Sequence, residues 1–242
     1  MTAPQYLAFD LGASNGRAIL GTLHGDRMTL DELHRFTTPL VDRDGRLFWD
    51  LDALWDEVRR GLDEALRVAP ELRSISVDSW AVDYVPIGHD ASAADRPLRD
   101  ARAYRDPRTR GRLEQALAVV PADELYRRTG IQLLEINTLY QLLADLDEEP
   151  ELLRETTYRL PIADYLLYRL SGRAAVERTM ASTTQLMDVH TGAWALDLIR
   201  RFGLPDTGWP EIVPPGTVLG PLVTSGRALH TPPGRAHHAG GR

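Results

Sequence analysis

Short apolar runs at residues 6–9, 18–23 and 28–36 predict three consecutive strands, with His24-Gly25-Asp26 as the turn between the last two. Asp42-Arg43-Asp44-Gly45 reads as a second turn. The pattern then changes period. Leu51, Leu54, Trp55, Val58, Leu62, Ala65 and Leu66 fall on one face of a helix, with Asp50 and Asp52 at its start and Pro70 beyond its end. Residues 74–77 predict a fourth strand and 84–87 a fifth, and 90–97 reads as a loop. From Asp106-Pro107 onward the pattern is mainly helical, over 107–119, 122–129, 138–146, 162–170 and 194–202. The acid before Pro107 suits a helix start, as N-cap with proline in the first helical position. Residues 224–242 are rich in Gly, Pro, His and Arg, with almost no large apolar side chain, and are expected to be disordered or loosely attached.

The first strand ends in Asp10-Leu11-Gly12-Ala13-Ser14-Asn15-Gly16-Arg17. Two glycines allow backbone N–H groups close to an anion, Ser14 and Asn15 add side-chain donors, and Arg17 adds a positive fork. Asp10 has the chemistry to hold Mg²⁺ through water. The chain has no lysine, so this is not a GxxxxGK[ST] loop. A strand and not a helix follows the turn, which excludes the dinucleotide fingerprint. Strand, phosphate turn and antiparallel strand open the actin/hexokinase-like (ribonuclease H-like) ATPase fold. Three strands, a helix and two more strands fit one half of it. The expected class is therefore α/β, the first of the usual two domains, over residues 1–222.

Composition narrows the alternatives. At 242 residues, 43% hydrophobic and 26% charged, the chain can hold one large domain or two small ones. A formal charge of -7 disfavours nucleic-acid binding. No stretch approaches the ~18 apolar residues of a membrane span. No signal peptide is evident, and a cytoplasmic location is expected. Without cysteine there are no disulfides, thiolate catalysis or Cys-ligated metals, and the seven histidines form no metal pattern.

Other constellations have two readings each. Asp78-Ser79-Trp80-Ala81-Val82-Asp83 sits at a strand end, where α/β sheets bind ligands; equally, Asp78 caps a turn and Trp80 packs in the core. Tyr104-Arg105-Asp106-Pro107-Arg108-Thr109 reads as a salt-bridged helix start. Gln132, Glu135 and Asn137 offer sugar-binding donors and acceptors or ordinary loop hydrogen bonds. Met180-Ala181-Ser182-Thr183-Thr184-Gln185 reads as a polar turn into a strand, its hydroxyls bonded to their own backbone.

Taken in order, these motifs resemble the FGGY carbohydrate kinases. The Asp10–Arg17 turn, Val77-Asp78-Ser79-Trp80-Ala81-Val82-Asp83-Tyr84, Tyr104-Arg105-Asp106-Pro107, Gly130-Ile131-Gln132 and Asn137-Thr138-Leu139-Tyr140-Gln141-Leu142 carry the resemblance, with the runs at 161–166 and 181–186. Within the family they are most similar to the branch acting on L-rhamnulose. The resemblance implies ATP- and Mg²⁺-dependent phosphorylation of the 1-hydroxyl of that ketose. It implies ATP-phosphate contacts from Ala13, Ser14, Asn15, Gly16 and Arg17, a metal contact from Asp10, and ketose contacts from Ala81, Gln132 and Asn137. The family usually has glycine where Ala81 stands. Its catalytic aspartate lies in a Ser/Thr-His-Asp-Thr stretch followed by a second, nucleotide-binding domain; neither is expected in these 242 residues. Hence no catalytic base is assigned, and a separately encoded C-terminal half is a possible partner. The alternatives are a non-catalytic sugar- or nucleotide-binding fragment, or a kinase of another ketose such as L-fuculose or xylulose.

Overall fold

The computed structural model describes residues 3–90, 92–224 and 227–228. Strands β1 (Gln5–Leu11), β2 (Asn15–His24) and β3 (Arg27–Thr37) form an antiparallel meander. After the hairpin β4 (Leu40–Arg43) and β5 (Arg46–Trp49), helix α1 (Leu51–Val68) crosses back and delivers β6 (Ser74–Ser79) parallel to β1. The sheet order is β3-β2-β1-β6. Leu7, Phe9 and Leu11 alternate into the core, as the two-residue period of a strand requires. Leu54, Val58, Leu62 and Ala65 of α1 share that core. Gly61 permits the close approach: a Cβ there would lie 2.8 Å from the Ala18 Cβ and 2.9 Å from the Phe9 ring. Asp50 caps the helix by accepting from the Ala53 N–H at 2.9 Å.

The fifth apolar run does not join this sheet. Strand β7 (Tyr84–His89) pairs with β8 (Asp95–Pro97) and, later in the chain, β10 (Tyr158–Pro161). The redirection occurs at Val82, whose φ of 71° is left-handed. β8 also lies in the stretch read as a loop. Strand β9 (Ala101–Arg102) adds to β5.

The helical part contains α2 (Arg112–Val119), α3 (Ala122–Thr129), α4 (Thr138–Glu148), α5 (Pro150–Glu155) and α6 (Ile162–Ser171). Then come β11 (Val176–Glu177), α7 (Arg178–Thr183), α8 (Leu196–Arg201) and β12 (Ile212–Val213). A second core forms around Tyr140, Leu125, Leu142, Leu153, Leu198 and Phe202. Two expectations are corrected. The helix over 107–119 is split into a 3-10 turn, Pro107–Thr109, and α2, because Gly111 sits at φ 76° between them. Met180–Gln185 is not a turn into a strand. Glu177 caps α7 by accepting from the Thr179 and Met180 N–H groups, and the stretch is helical to Thr183. Its Ser182, Thr183 and Thr184 hydroxyls do donate to local carbonyls, at 2.7, 2.8 and 2.6 Å.

In the stretch expected to be loosely attached, β13 (Val223–Thr224) and β14 (Arg227–Ala228) pair antiparallel; its remaining residues lie outside the described ones.

Candidate active site

Two turns meet at the ends of the parallel strands β1 and β6. The register places Asp10 beside Asp78 and Leu11 beside Ser79. In-register neighbours face the same side of a sheet, so both carboxylates leave together from strands spaced about 4.8 Å apart. Asp78 is exposed. The antiparallel pairing with β2 puts Arg17 opposite Asp10, and their side chains form an ion pair. The Trp80 N–H donates to the Leu11 carbonyl at 3.0 Å, tying the second turn to the first.

The first turn is closed by the Gly12 N–H donating to the Asn15 carbonyl at 2.8 Å. Thr38, buried and 26 residues downstream of Gly12, holds it from below. Its hydroxyl donates to the Gly12 carbonyl at 2.6 Å and its N–H to the Ser14 carbonyl at 3.1 Å. The Gly12, Ser14 and Asn15 carbonyls are thereby occupied. Among the described residues, the N–H groups of Ala13 and Ser14 have no protein acceptor. Ser14 and Asn15 are exposed beside them. Free amides flanked by short polar side chains and a guanidinium form a cradle for an anion. Gly16 has a different task. It is buried, and a Cβ on it would collide with the Phe36 ring and with Leu11, so its bareness serves packing under the turn.

The second turn, Trp80-Ala81-Val82, rests on a buried polar scaffold. Asp83 is fully buried and accepts from the Trp49 indole at 2.5 Å, the Trp80 indole at 3.0 Å and the Gln141 amide at 2.9 Å. Burial pushes its carboxyl up to about 6 in spite of these donors. Asp83 therefore supports the turn from inside. Trp80 is half-buried with its ring centroid 4.4 Å from that of Trp49, so its packing reading holds, while the Asp78 side chain accepts no hydrogen bond among the described residues and stands open at the strand end. Ala81 is half-buried and is not among the positive-φ residues; the strained conformation belongs to Val82.

Behind Asp83 runs a chain of charged groups. Arg108 donates to the Gln141 carbonyl at 3.0 Å and to its Oε1 at 3.2 Å, and pairs with Asp145. Asp145 also takes Arg99 at 2.7 Å and the Tyr84 hydroxyl, whose pKa is pushed up by burial and by that carboxylate. Asp106 caps the 3-10 turn as its sequence suggested, accepting from the Arg108 N–H at 3.0 Å, and also from the Leu47 N–H at 2.8 Å.

The loop amides are divided. Asn137 is buried, and its Nδ2 donates to the Gln132 carbonyl at 2.9 Å and to Gln185 Oε1 at 3.1 Å. The Gln132 side chain is exposed. The next residue, Thr138, donates to the Val82 carbonyl at 2.6 Å, which brings this loop to the second turn. Thr38 and Asp145 carry no local motif, and Gln141 lies in the Asn137–Leu142 run, which does not show what it contacts; the register of distant strands and helices reveals the partners of all three. Among the described residues, no group of three or more metal-ligating side chains occurs, and no helix is long and apolar enough to cross a membrane.

Residues 5–231 match the N-terminal domain of the FGGY family of carbohydrate kinases. The chain belongs to this family. FGGY relatives include a rhamnulokinase of Oceanobacillus iheyensis, 39% identical over 216 residues, which cover 89% of this chain and 45% of that protein. A rhamnulokinase of Klebsiella pneumoniae is 40% identical over 222 residues, covering 91% and 45%. The gluconate kinase of Lactobacillus acidophilus superposes with a TM-score of 0.78 at 20% identity, covering 92% of this chain and 44% of that one, which shows the shared actin/hexokinase-like fold. The chain spans about half the length of the curated FGGY relatives it matches. As a sugar-kinase family, the FGGY proteins use ATP. The free amides of Ala13 and Ser14 suit a phosphate, and paired Asp10 and Asp78 carboxylates with water suit Mg²⁺, which takes one or two carboxylates and keeps several waters.

Proposed function

We propose that this chain forms the sugar-binding domain of a kinase that phosphorylates the 1-hydroxyl of L-rhamnulose. The observation that carries the reading is the junction of β1 and β6. It sets an amide cradle, two carboxylates and the Ala81 turn side by side, with the two turns hydrogen-bonded to each other. Identity of 39–40% to two rhamnulokinases supports the choice of ketose. In this reading Ala13, Ser14, Asn15 and Arg17 receive ATP phosphates, and Gly16 shapes the turn from below. Asp10, with Asp78 beside it, would hold Mg²⁺, which supplies charge neutralisation at the phosphates. For Asp10 to do so, Arg17 must turn from it toward the phosphates. Ala81 and Gln132 face the ketose. Asn137, whose side-chain N–H groups are spent internally, acts by holding the Gln132 loop.

Phosphoryl transfer is largely positioning and electrostatics, but the attacking hydroxyl also needs a base. The 242 residues contain no His-Asp-Thr stretch. General-base catalysis typically contributes ~10²–10⁴-fold. We therefore expect negligible turnover by this chain alone, with a second nucleotide-binding half as its partner and residues 1–222 as the folded domain. A kinase that draws on free sugar and ATP is expected in the cytoplasm. Calorimetric titration tests the reading. Saturable heat with L-rhamnulose, and with Mg²⁺·ATP lost in Asp10→Ala, is expected. Absence of heat with both ligands would sink it, as would clear ADP production above the Asp10→Ala control for the claim of inactivity.

A further inference from the structure

Val82 adopts φ 71°, a conformation that a β-branched residue seldom takes. Its carbonyl is gripped twice from the first turn of α4: by the Thr138 hydroxyl at 2.6 Å and by the Gln141 side-chain amide at 3.1 Å. Positions three apart share a helix face, so both donors reach the same carbonyl. Gln141 is 1% exposed, and its Nε2 also reaches Asp83 Oδ1 at 2.9 Å and the Ile136 carbonyl at 3.1 Å. Two hydrogens thus serve three acceptors, on the turn, on the residue after it and on the loop before α4. The orientation of the amide is fixed from the other side. Arg108 donates to Oε1, so a flipped amide would turn its oxygen toward the Asp83 carboxylate and its N–H groups toward a guanidinium.

We infer that Gln141 is a positioning residue: it holds Val82 in the left-handed conformation, fixes where Ala81 is presented, and so sets ketose affinity. The second half of this statement rests on the sugar-facing role proposed for Ala81; the first half does not.

The test pairs Gln141→Met, which keeps the bulk and removes the donors, with the double variant Gln141→Met/Val82→Gly. Glycine enters positive φ freely, so it relieves the turn of the need for a clamp. Backbone chemical shifts of residue 82 read the sign of φ without ligand, and calorimetry reads the Kd for L-rhamnulose. In Gln141→Met, Val82 is expected to leave positive φ and the Kd to rise about tenfold, the scale set by the left-handed penalty. In the double variant the Kd returns to within about threefold of the wild type, a rescue that a general loss of stability would not show. Thr138→Val removes one of the two donors and is read the same way if Gln141→Met does not fold. Positive φ retained in a folded Gln141→Met, or an unchanged Kd, overturns the inference. A wild-type chain that binds no L-rhamnulose, with φ lost in Gln141→Met, overturns the ketose reading and supports the role of Gln141 in the turn.

Discussion

Asp145→Asn should be among the most damaging single changes in this protein. Asp145 is 0% exposed and faces Arg108, whose side chain is 1% exposed, and Arg99, 12% exposed. The substitution keeps the shape and deletes one negative charge. Arg99 retains Glu149 at 2.8 Å, but Arg108 is left with neutral acceptors alone, the new amide oxygen and the two oxygens of Gln141. An uncompensated buried charge costs about 3–5 kcal/mol, a large part of the ~5–15 kcal/mol that holds a typical domain together. At ~2–4 °C per kcal/mol for a chain of this size, the melting temperature should fall by roughly 6–20 °C. Urea unfolding followed by circular dichroism measures the loss directly. Glu151→Ala, which breaks the exposed pair with Arg154, is the control and should not shift the midpoint measurably. A loss below about 1 kcal/mol in Asp145→Asn would refute the reasoning, because it would mean that Arg108 is solvated in a way its burial contradicts.

Asp164 and Gly16 give two further tests. Burial pushes the Asp164 carboxyl up to about 7 from 3.8, and its Oδ2 has no partner among the described residues. A raised acid contributes stability that is fully present below 3.8 and lost as pH rises through about 7. Asp164→Asn keeps the Oδ1 acceptor for the Glu177 N–H, so it should match the wild type near pH 4 and exceed it by about 2–4 kcal/mol at pH 8 in urea titrations. An identical pH profile in both proteins would rule this out. Gly16→Ala forces a methyl into the Phe36 ring and should cost about 1–3 kcal/mol in the same assay, whereas a neutral result would show that the ring moves freely.

Local signals in the sequence were sufficient where structure is local. The β1–turn–β2 unit and α1 follow from period and turn chemistry, and the Asp10–Arg17 turn is contiguous in the chain. Contacts across the chain were not legible. Thr38 reaches Gly12 across 26 residues, Arg108 reaches Asp145 across 37, and Gln141 reaches Asp83 across 58. Helix α7 was misread because its cap is Glu177, outside the Ser, Thr, Asp and Asn set that marks helix starts. The fifth strand is legible as a strand, but its sheet is not, because nothing in Trp80-Ala81-Val82 announces positive φ; glycine, the usual signal for it, is absent from that turn.

That last point changes what the alanine at position 81 means. If residue 81 were the one in the left-handed region, its methyl would strain the backbone and distort the turn. The strain sits one residue later, on Val82, and is held there by donors from α4. A methyl at 81 is therefore compatible with the turn's geometry; it packs partly against the core and is partly open to whatever approaches the turn. The same division runs through the Asp10–Arg17 turn, where Gly16 and Thr38 fix the backbone from below and Ser14 and Asn15 are exposed. In both turns the conformation is enforced by buried partners far away in sequence, Thr38 for the first and Thr138 and Gln141 for the second.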